Sequence, residues 1–137
     1  MVTTVMKRIF ILAIGLLMTV FSAVNCSYQI EDVDFSVSLS QDNVYAPGEE
    51  IVFNLHGNPD YVTFWSGESG CRYEYAGTVD EEGNANFGIP VKSMNARETT
   101  FSYTYTMSGV YDVVFEAKNS SFGHEKVATI RLQIEIK

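Results

Sequence analysis

The chain has 137 residues, of which 46% are hydrophobic and 19% are charged, a composition typical of one globular domain and not of a disordered chain. Acidic residues outnumber basic residues by 17 to 9, for a formal net charge of −8. A surface of this sign repels a phosphate backbone, so the composition excludes nucleic acid as a default partner.

Residues 1–25 have the pattern of a secretory leader. Lys7 and Arg8 precede an uncharged run over 9–24, which is too short for a comfortable membrane span and suits a signal-peptide helix. Cys26 follows directly, and this arrangement resembles a bacterial lipoprotein signal, in which the peptide is cut before a cysteine whose thiol is acylated. We therefore predict a lipoprotein signal peptide over 1–25, with plain secretion and a retained anchor helix as the alternatives.

Lipidation of Cys26 has consequences for the remaining chain. Residues 26–31 become a tether, and Cys71 is left without a disulfide partner because the sequence has two cysteines. Bacterial lipoproteins carry more than one acyl chain, and each buried methylene contributes roughly 0.8 kcal/mol, so attachment is expected to be stable. The expected location is the cell envelope, as an outer-membrane lipoprotein on its surface or periplasmic face, with the membrane as a partner through the N-terminal lipid.

Beyond residue 32 apolar and polar residues alternate, the pattern of strands with one buried face. The expected inward faces lie at every second position of five runs: Val33–Leu39, Ile51–Leu55, Phe101–Tyr105, Tyr111–Ala117 and Ala128–Ile136. Further strands are expected over three segments, Tyr61–Trp65, Cys71–Val79 and Ala85–Val91. Ser108-Gly109 is expected to join two long strands as a tight hairpin, and Asn119–Gly123 to join the last two. The sequence thus predicts an all-β fold, a single sandwich of seven to eight strands over 32–137.

The stretch 103–115 resembles the closing hairpin of polycystic-kidney-disease (PKD) domains, which are immunoglobulin-like sandwiches, and 47–53 resembles their second strand. The resemblance implies an immunoglobulin/PKD-like domain with structural roles for Tyr105, Gly109 and Tyr111. We expect Gly109 at a turn position with positive φ, which is costly for other residues. We expect Tyr105 to bury its ring and return its hydroxyl to nearby backbone, as in a tyrosine corner.

Three shorter motifs resemble a second family. Asn58-Pro59-Asp60, the segment 64–70 and Tyr73-Glu74-Tyr75 are similar to the start of uncharacterised surface lipoproteins from glycan-foraging bacteria. Those proteins tend to accompany outer-membrane glycan-uptake machinery. The resemblance implies a glycan or outer-membrane transport proteins as partners and leaves the activity undefined.

Four aromatic residues are the candidate ligand-binding residues: Tyr61, Trp65, Tyr73 and Tyr75. If Val62 and a neighbouring phenylalanine face the core, strict alternation turns Tyr61 and Trp65 the other way. An exposed Trp–Tyr surface suits stacking on sugar rings or on a partner protein. The alternative, which we favour, makes Trp65 the core tryptophan between the sheets of an immunoglobulin-like domain, with the alternation broken by a bulge.

No pattern in the sequence indicates a reaction centre. His56 and His124 lack metal-ligand spacing, a Cys71–His56 pair has no orienting third group, and residues 80–84 lack the oxygen pattern of a calcium loop and suit a solvated hairpin tip. We predict no catalytic residue, no metal and no cofactor.

The predicted function is a membrane-anchored, non-catalytic binding module. The alternatives are a structural or adhesin subunit that uses Ile130–Ile136 as an exposed edge strand, and a small hydrolase if His56 or Cys71 meets carboxylates in a cleft.

Overall fold

The computed structural model describes residues 29–137. The predicted leader, Cys26 and the first residues of the predicted tether lie outside this range. The described chain forms eight strands: β1 (Phe35–Leu39), β2 (Val44–Tyr45), β3 (Glu50–Gly57), β4 (Tyr61–Trp65), β5 (Ile89–Lys92), β6 (Thr100–Thr104), β7 (Gly109–Ser121) and β8 (His124–Ile136). A single 3-10 turn, Tyr73–Tyr75, lies between β4 and β5. Within residues 29–137 no helix has the length and apolar character needed to cross a membrane.

The strands form two sheets. The three-stranded sheet has the order β1-β3-β6, and the five-stranded sheet has the order β2-β8-β7-β4-β5. Every pairing is antiparallel except the short parallel contact between β2 and β8. The predicted all-β sandwich is confirmed.

The core between the sheets is built from the inward faces that alternation predicts. Ile51 and Phe53 of β3 and Val113 and Phe115 of β7 are fully buried. The Phe115 ring centroid lies 5.1 Å from that of Phe53 and 5.1 Å from that of Phe64. Burying an apolar side chain of this size contributes roughly 1.5–3 kcal/mol, so these aromatic contacts hold the two sheets face to face.

The connection at Ser108-Gly109 is not the predicted hairpin. β6 pairs with β3 in one sheet, whereas β7 pairs with β8 and β4 in the other, so the chain crosses between sheets here. Gly109 is not among the residues with positive φ. It begins β7, and a Cβ there would lie 3.4 Å from the Tyr111 ring. Alternation identifies a strand and its buried face, but it does not identify the sheet that the strand joins.

The last two strands, β7 and β8, follow one another as a hairpin, as the sequence predicts, but the connection is tighter than the predicted linker Asn119–Gly123. The two strands pair without a break from Gly109↔Ile136 to Ser121↔His124. The two intervening residues, Phe122 and Gly123, have φ values of 45° and 82°, as a type I′ turn requires.

The strands predicted over Cys71–Val79 and Ala85–Val91 are mostly absent. Residues 73–75 form the 3-10 turn, two isolated bridges join 76 to 86 and 79 to 85, and β5 spans only Ile89–Lys92. Most of this segment therefore lies outside the two sheets.

The tyrosine corner is formed by Tyr111 instead of Tyr105. The Tyr111 hydroxyl donates to the carbonyl of Met107, four residues upstream, at 2.9 Å. The Tyr105 ring is fully buried, as predicted, but its hydroxyl donates to the distant carbonyl of Ser66 at 2.7 Å. Burial raises the pKa of the Tyr105 hydroxyl far above its ordinary value, so this group stays a hydrogen-bond donor at any physiological pH.

We predict that Tyr105→Phe lowers the free energy of unfolding by about 1–3 kcal/mol, because the buried Ser66 carbonyl loses its donor. The measurement is urea unfolding of the variant and the wild-type chain. Tyr111→Phe is the matched control, since it also removes one tyrosine hydroxyl but at an exposed hydrogen bond. Equal losses in the two variants would contradict the buried role of Tyr105.

Candidate functional site

Residues 66–88, which we call the covering segment, fold over the outer face of the five-stranded sheet. Gly67 meets the backbone of β7 with a φ of +82°, and a Cβ there would lie 2.8 Å from the Asp112 carbonyl oxygen. At the other end, a Cβ on Gly88 would lie 2.3 Å from the Thr63 side chain and 2.8 Å from the Trp65 ring. Glycine at both ends therefore lets the segment approach the sheet closely.

Trp65 lies beneath the covering segment. Its neighbour Phe64 belongs to the core between the sheets, so Trp65 points to the opposite face, as strict alternation predicts. The side chain is nevertheless only 7% exposed, and its ring packs edge-on against Tyr73 at 5.7 Å. Val114, opposite Trp65 on β7, is also fully buried. The prediction of a core tryptophan between the sheets is wrong, and so is that of an open Trp surface, because a second layer of chain covers this face.

The 3-10 turn places Tyr73 over the outer faces of β7 and β8. The guanidinium of Arg131 lies 5.2 Å from the centroid of the Tyr73 ring and 3.6 Å from the carboxylate of Glu74. Burial, together with the charge of Glu116 and a hydrogen bond to it, raises the pKa of Tyr73. A cation over an aromatic ring contributes about 0.5–1 kcal/mol at a site of this exposure, so Arg131 helps to fix the ring on the sheet.

A recess of about 270 Å³ with a mixed polar and apolar lining opens beside this turn. Its side-chain polar groups are two carboxylates, one guanidinium and one amide, from Glu74, Asp112, Arg131 and Gln133. The Gln133 amide donates to Asp112 at 3.2 Å, which orients both groups. Planar groups of this kind pair with neighbouring hydroxyls or with carboxylates. The arrangement can bind a polar ligand.

The loop over 80–84 is a hairpin tip whose residues 81–84 are exposed, as the sequence suggests, but its first residue, Asp80, is buried and organises it from within. Asp80 is only 6% exposed, and its carboxylate accepts hydrogen bonds from the backbone N–H groups of Glu82 at 3.1 Å and Asn84 at 2.8 Å. Burial alone raises the pKa of Asp80, but these bonds and those from Gly70 and Asn86 outweigh it and lower the pKa.

Asn86 is the second buried polar group that holds the covering segment. Its side-chain oxygen accepts from the backbone N–H of Arg72 at 2.9 Å, and its amide donates to the carbonyl of Asn84 at 2.8 Å. Its buried amide therefore bonds on both sides, which links the two arms of the segment.

The structure brings together only two of the four predicted aromatic residues, Trp65 and Tyr73. Tyr61 lies four residues before Trp65 on β4, 37% exposed and opposite Lys118. Tyr75 faces Glu81, whose charge is the largest cause of its raised pKa.

The residues considered for catalysis lie apart. His56 is exposed on the three-stranded sheet, with its Nε2 atom 3.0 Å from the Ser38 hydroxyl. Cys71 lies in the covering segment, where its sulfur accepts the backbone N–H of Ser66 at 3.3 Å. His124 begins β8. In the described part of the chain no three histidine, cysteine or acidic residues are grouped so that they could hold a metal ion.

Sequence reasoning missed the polar residues of the recess. The outward positions of Asp112, Arg131 and Gln133 follow from the alternation of β7 and β8, and that signal was available. The position of Glu74 beside these three residues could not be predicted from the sequence, because it depends on how the covering segment folds.

The chain matches a protein-family model. The family model described as "Domain of unknown function (DUF5017)" matches residues 24–123. That range includes the whole covering segment and β7, but it ends before Arg131 and Gln133 of β8. The searches of curated proteins and of solved structures found no match.

We predict that Asp80→Asn destabilises the chain at neutral pH and that the difference from wild type narrows in acid. A carboxyl whose pKa is lowered by folding stabilises the folded state above its unfolded pKa, near 3.9, and loses that contribution as the pH falls through the lower folded value. The measurement is the unfolding midpoint of both chains from neutral pH to about pH 3.

The matched control for that series is Asp34→Asn, since Asp34 is exposed on the opposite side of the sandwich's core. A constant gap between Asp80→Asn and wild type across the pH range would show that the carboxylate charge is not what organises the loop.

Proposed function

The chain belongs to the DUF5017 family, and we propose that it is a non-catalytic binding module held at the bacterial outer membrane by a lipid on Cys26. We propose as its ligand a glycan or a partner protein of a glycan-uptake system. The observation that carries the binding role is the recess next to the 3-10 turn, where the planar polar side chains of Glu74, Asp112, Arg131 and Gln133 converge.

The strand order supports an immunoglobulin-like, PKD-like assignment. If the strands are lettered as in such domains, β1, β3 and β6 correspond to A, B and E, and the five-stranded sheet contains G, F and C as β8, β7 and β4. Domains of this shape present loops and sheet faces on a rigid frame, which suits binding, although the fold alone does not fix a function.

The chemistry of the recess favours a hydroxyl-rich ligand. Carboxylate, guanidinium and amide groups hydrogen-bond to adjacent hydroxyls, and Val113 and Leu132 add apolar surface to the lining.

The structural or adhesin subunit remains the second candidate. It is favoured by the edge of β8 over 124–132, with which no described strand pairs. Of the predicted edge Ile130–Ile136 only the first part is unpaired, because Glu135 and Ile136 pair with β2 and Asn43 bonds to the Gln133 carbonyl. Secretion without a lipid is the alternative for the location.

The first test addresses the anchor. We expect labelled palmitate to enter the wild-type chain in cells and the chain to sediment with membranes. Cys26→Ala should abolish the label, whereas the matched control Cys71→Ala should retain it, because Cys71 lies inside the folded domain. Label that persists in Cys26→Ala, or never enters the wild type, contradicts the proposed anchor.

The second test addresses the recess. On a polysaccharide array we expect wild type to bind at least one glycan, and Asp112→Ala to weaken that binding by roughly tenfold or more, the cost of one hydrogen bond to a charged group. Glu50→Ala is the matched control, since it removes an exposed acidic residue from the other sheet. Unaltered binding by Asp112→Ala, or no binding by the wild type, argues against the proposed site.

A further inference from the structure

Within residues 29–137, most of one long edge of the five-stranded sheet has no paired strand. β8 pairs with β7 along all 13 of its residues, but on its other side it meets β2 only at Glu135 and Ile136. The side-chain amide of Asn43, just before β2, donates a hydrogen bond to the carbonyl of Gln133 at 3.1 Å. Among the described residues, no strand pairs with the outer side of β8 from 124 to 132.

Two hydrogen bonds establish which main-chain groups point toward this edge. The N–H of Glu135 donates outward to the Asn43 carbonyl at 2.9 Å, and the carbonyl of Gln133 accepts from outside the sheet. In an antiparallel ladder the outward direction recurs at every second residue. The N–H and C=O groups of Glu125, Val127, Thr129 and Arg131 therefore point away from β7.

This edge lacks two of the devices that prevent pairing between edges, proline and bulges, although it carries charged side chains. Residues 124–132 contain no proline, and the register between β7 and β8 is unbroken, so no bulge turns the edge away. Lys126, an inward-pointing charge of the protective kind, forms an exposed ion pair with Asp32 at 2.6 Å. Val127 is 49% exposed.

We propose that β8 pairs antiparallel with β8 of a second copy of this chain, about a two-fold axis at Ala128. The two five-stranded sheets then form one continuous sheet. Every outward main-chain group of Glu125, Val127, Thr129 and Arg131 gains a partner, because each of these residues faces another of the same set in the second copy.

The two ends of the unpaired stretch of β8, residues 124 and 132, favour this register. With Ala128 opposite its own copy, residue 124 faces residue 132, so the open stretch coincides with itself. The type I′ turn of each chain then lies beside the point where Asn43 closes the edge of the other.

The side chains select the same register independently. Glu125 falls opposite Arg131 of the second copy, and symmetry makes this pair twice, on the outer face where the Arg131 side chain is 57% exposed. Val127 falls opposite Thr129, a pair of β-branched residues. A register shifted by two residues in one direction places Glu125 opposite Gln133, whose carbonyl is already bonded to Asn43. A shift by two residues in the other direction places Arg131 opposite Gly123.

The decisive experiment is disulfide trapping in the full-length chain, in the membranes of the cells that produce it. Under a mild oxidant Ala128→Cys should form a covalent dimer, because facing residues in a non-hydrogen-bonded pair have Cα atoms about 4.5 Å apart, within disulfide reach. Arg131→Cys is the matched control, since the two copies of residue 131 lie six residues apart along the strands, roughly 20 Å. The wild-type chain reports any dimer made by its own cysteines.

A second pair of variants tests the edge without a new cysteine. Thr129→Pro removes one outward N–H and no β7 hydrogen bond, so the chain should fold and the dimer should weaken at least tenfold by light scattering of the purified full-length chain. Glu125→Arg should weaken the dimer several-fold, and adding Arg131→Glu should restore it.

Several outcomes overturn the proposal. They are a monomeric wild type, equal trapping of Ala128→Cys and Arg131→Cys, and a dimer untouched by Thr129→Pro in a chain that still melts cooperatively. A monomer that captures the β-strand of a different protein would likewise assign the edge to another occupant. None of these readouts depends on a glycan, so they are separate from the tests of the recess.

Discussion

Burial of Phe53, Phe64 and Phe115 against one another is the contact on which the rest of the structure depends. Phe53 comes from the three-stranded sheet, and the other two come from neighbouring strands of the five-stranded sheet. Because these rings fix the inward face of β4 and β7, they also fix which residues face outward. The positions of Trp65, Val114 and Asp112 on the outer face follow from that one choice.

The outer face is covered by chain that has little regular structure, and polar groups hold it there. The Ser66 carbonyl accepts a hydrogen bond from the buried hydroxyl of Tyr105, and the Glu68 carboxylate accepts one from the hydroxyl of Tyr103. Burial and this hydrogen bond raise the pKa of Tyr103 to about 12. Asp80 and Asn86 bind the rest of the segment to itself. The domain therefore has two interfaces of different chemistry, an apolar one between the sheets and a mixed one beneath the covering segment.

The sequence predicts the apolar interface well and the mixed one poorly, for a physical reason. A period of two residues records which side of a strand is buried, so the inward positions of Ile51, Phe53 and Val113 were predictable. It does not record which strands are neighbours, which is why β6 and β7 were expected to form a hairpin. It also does not show whether the outer face of a sheet is exposed to solvent or covered by another segment. The prediction for Trp65 was wrong for this reason, because the segment that covers it is a loop held by Asp80 and Asn86.

The point where the chain enters the domain determines how the domain responds to a pulling force. The Asn119 amide donates to the carbonyls of Glu31 and Asp32 at 3.2 and 3.3 Å, which fixes the first described residues beside the β7–β8 turn. Ile136 pairs with Gly109 at the opposite pole, roughly 40 Å away along a strand of 13 residues. A pull between these two points acts along the strands, so the hydrogen bonds of the ladders are loaded together in shear and do not open one after another.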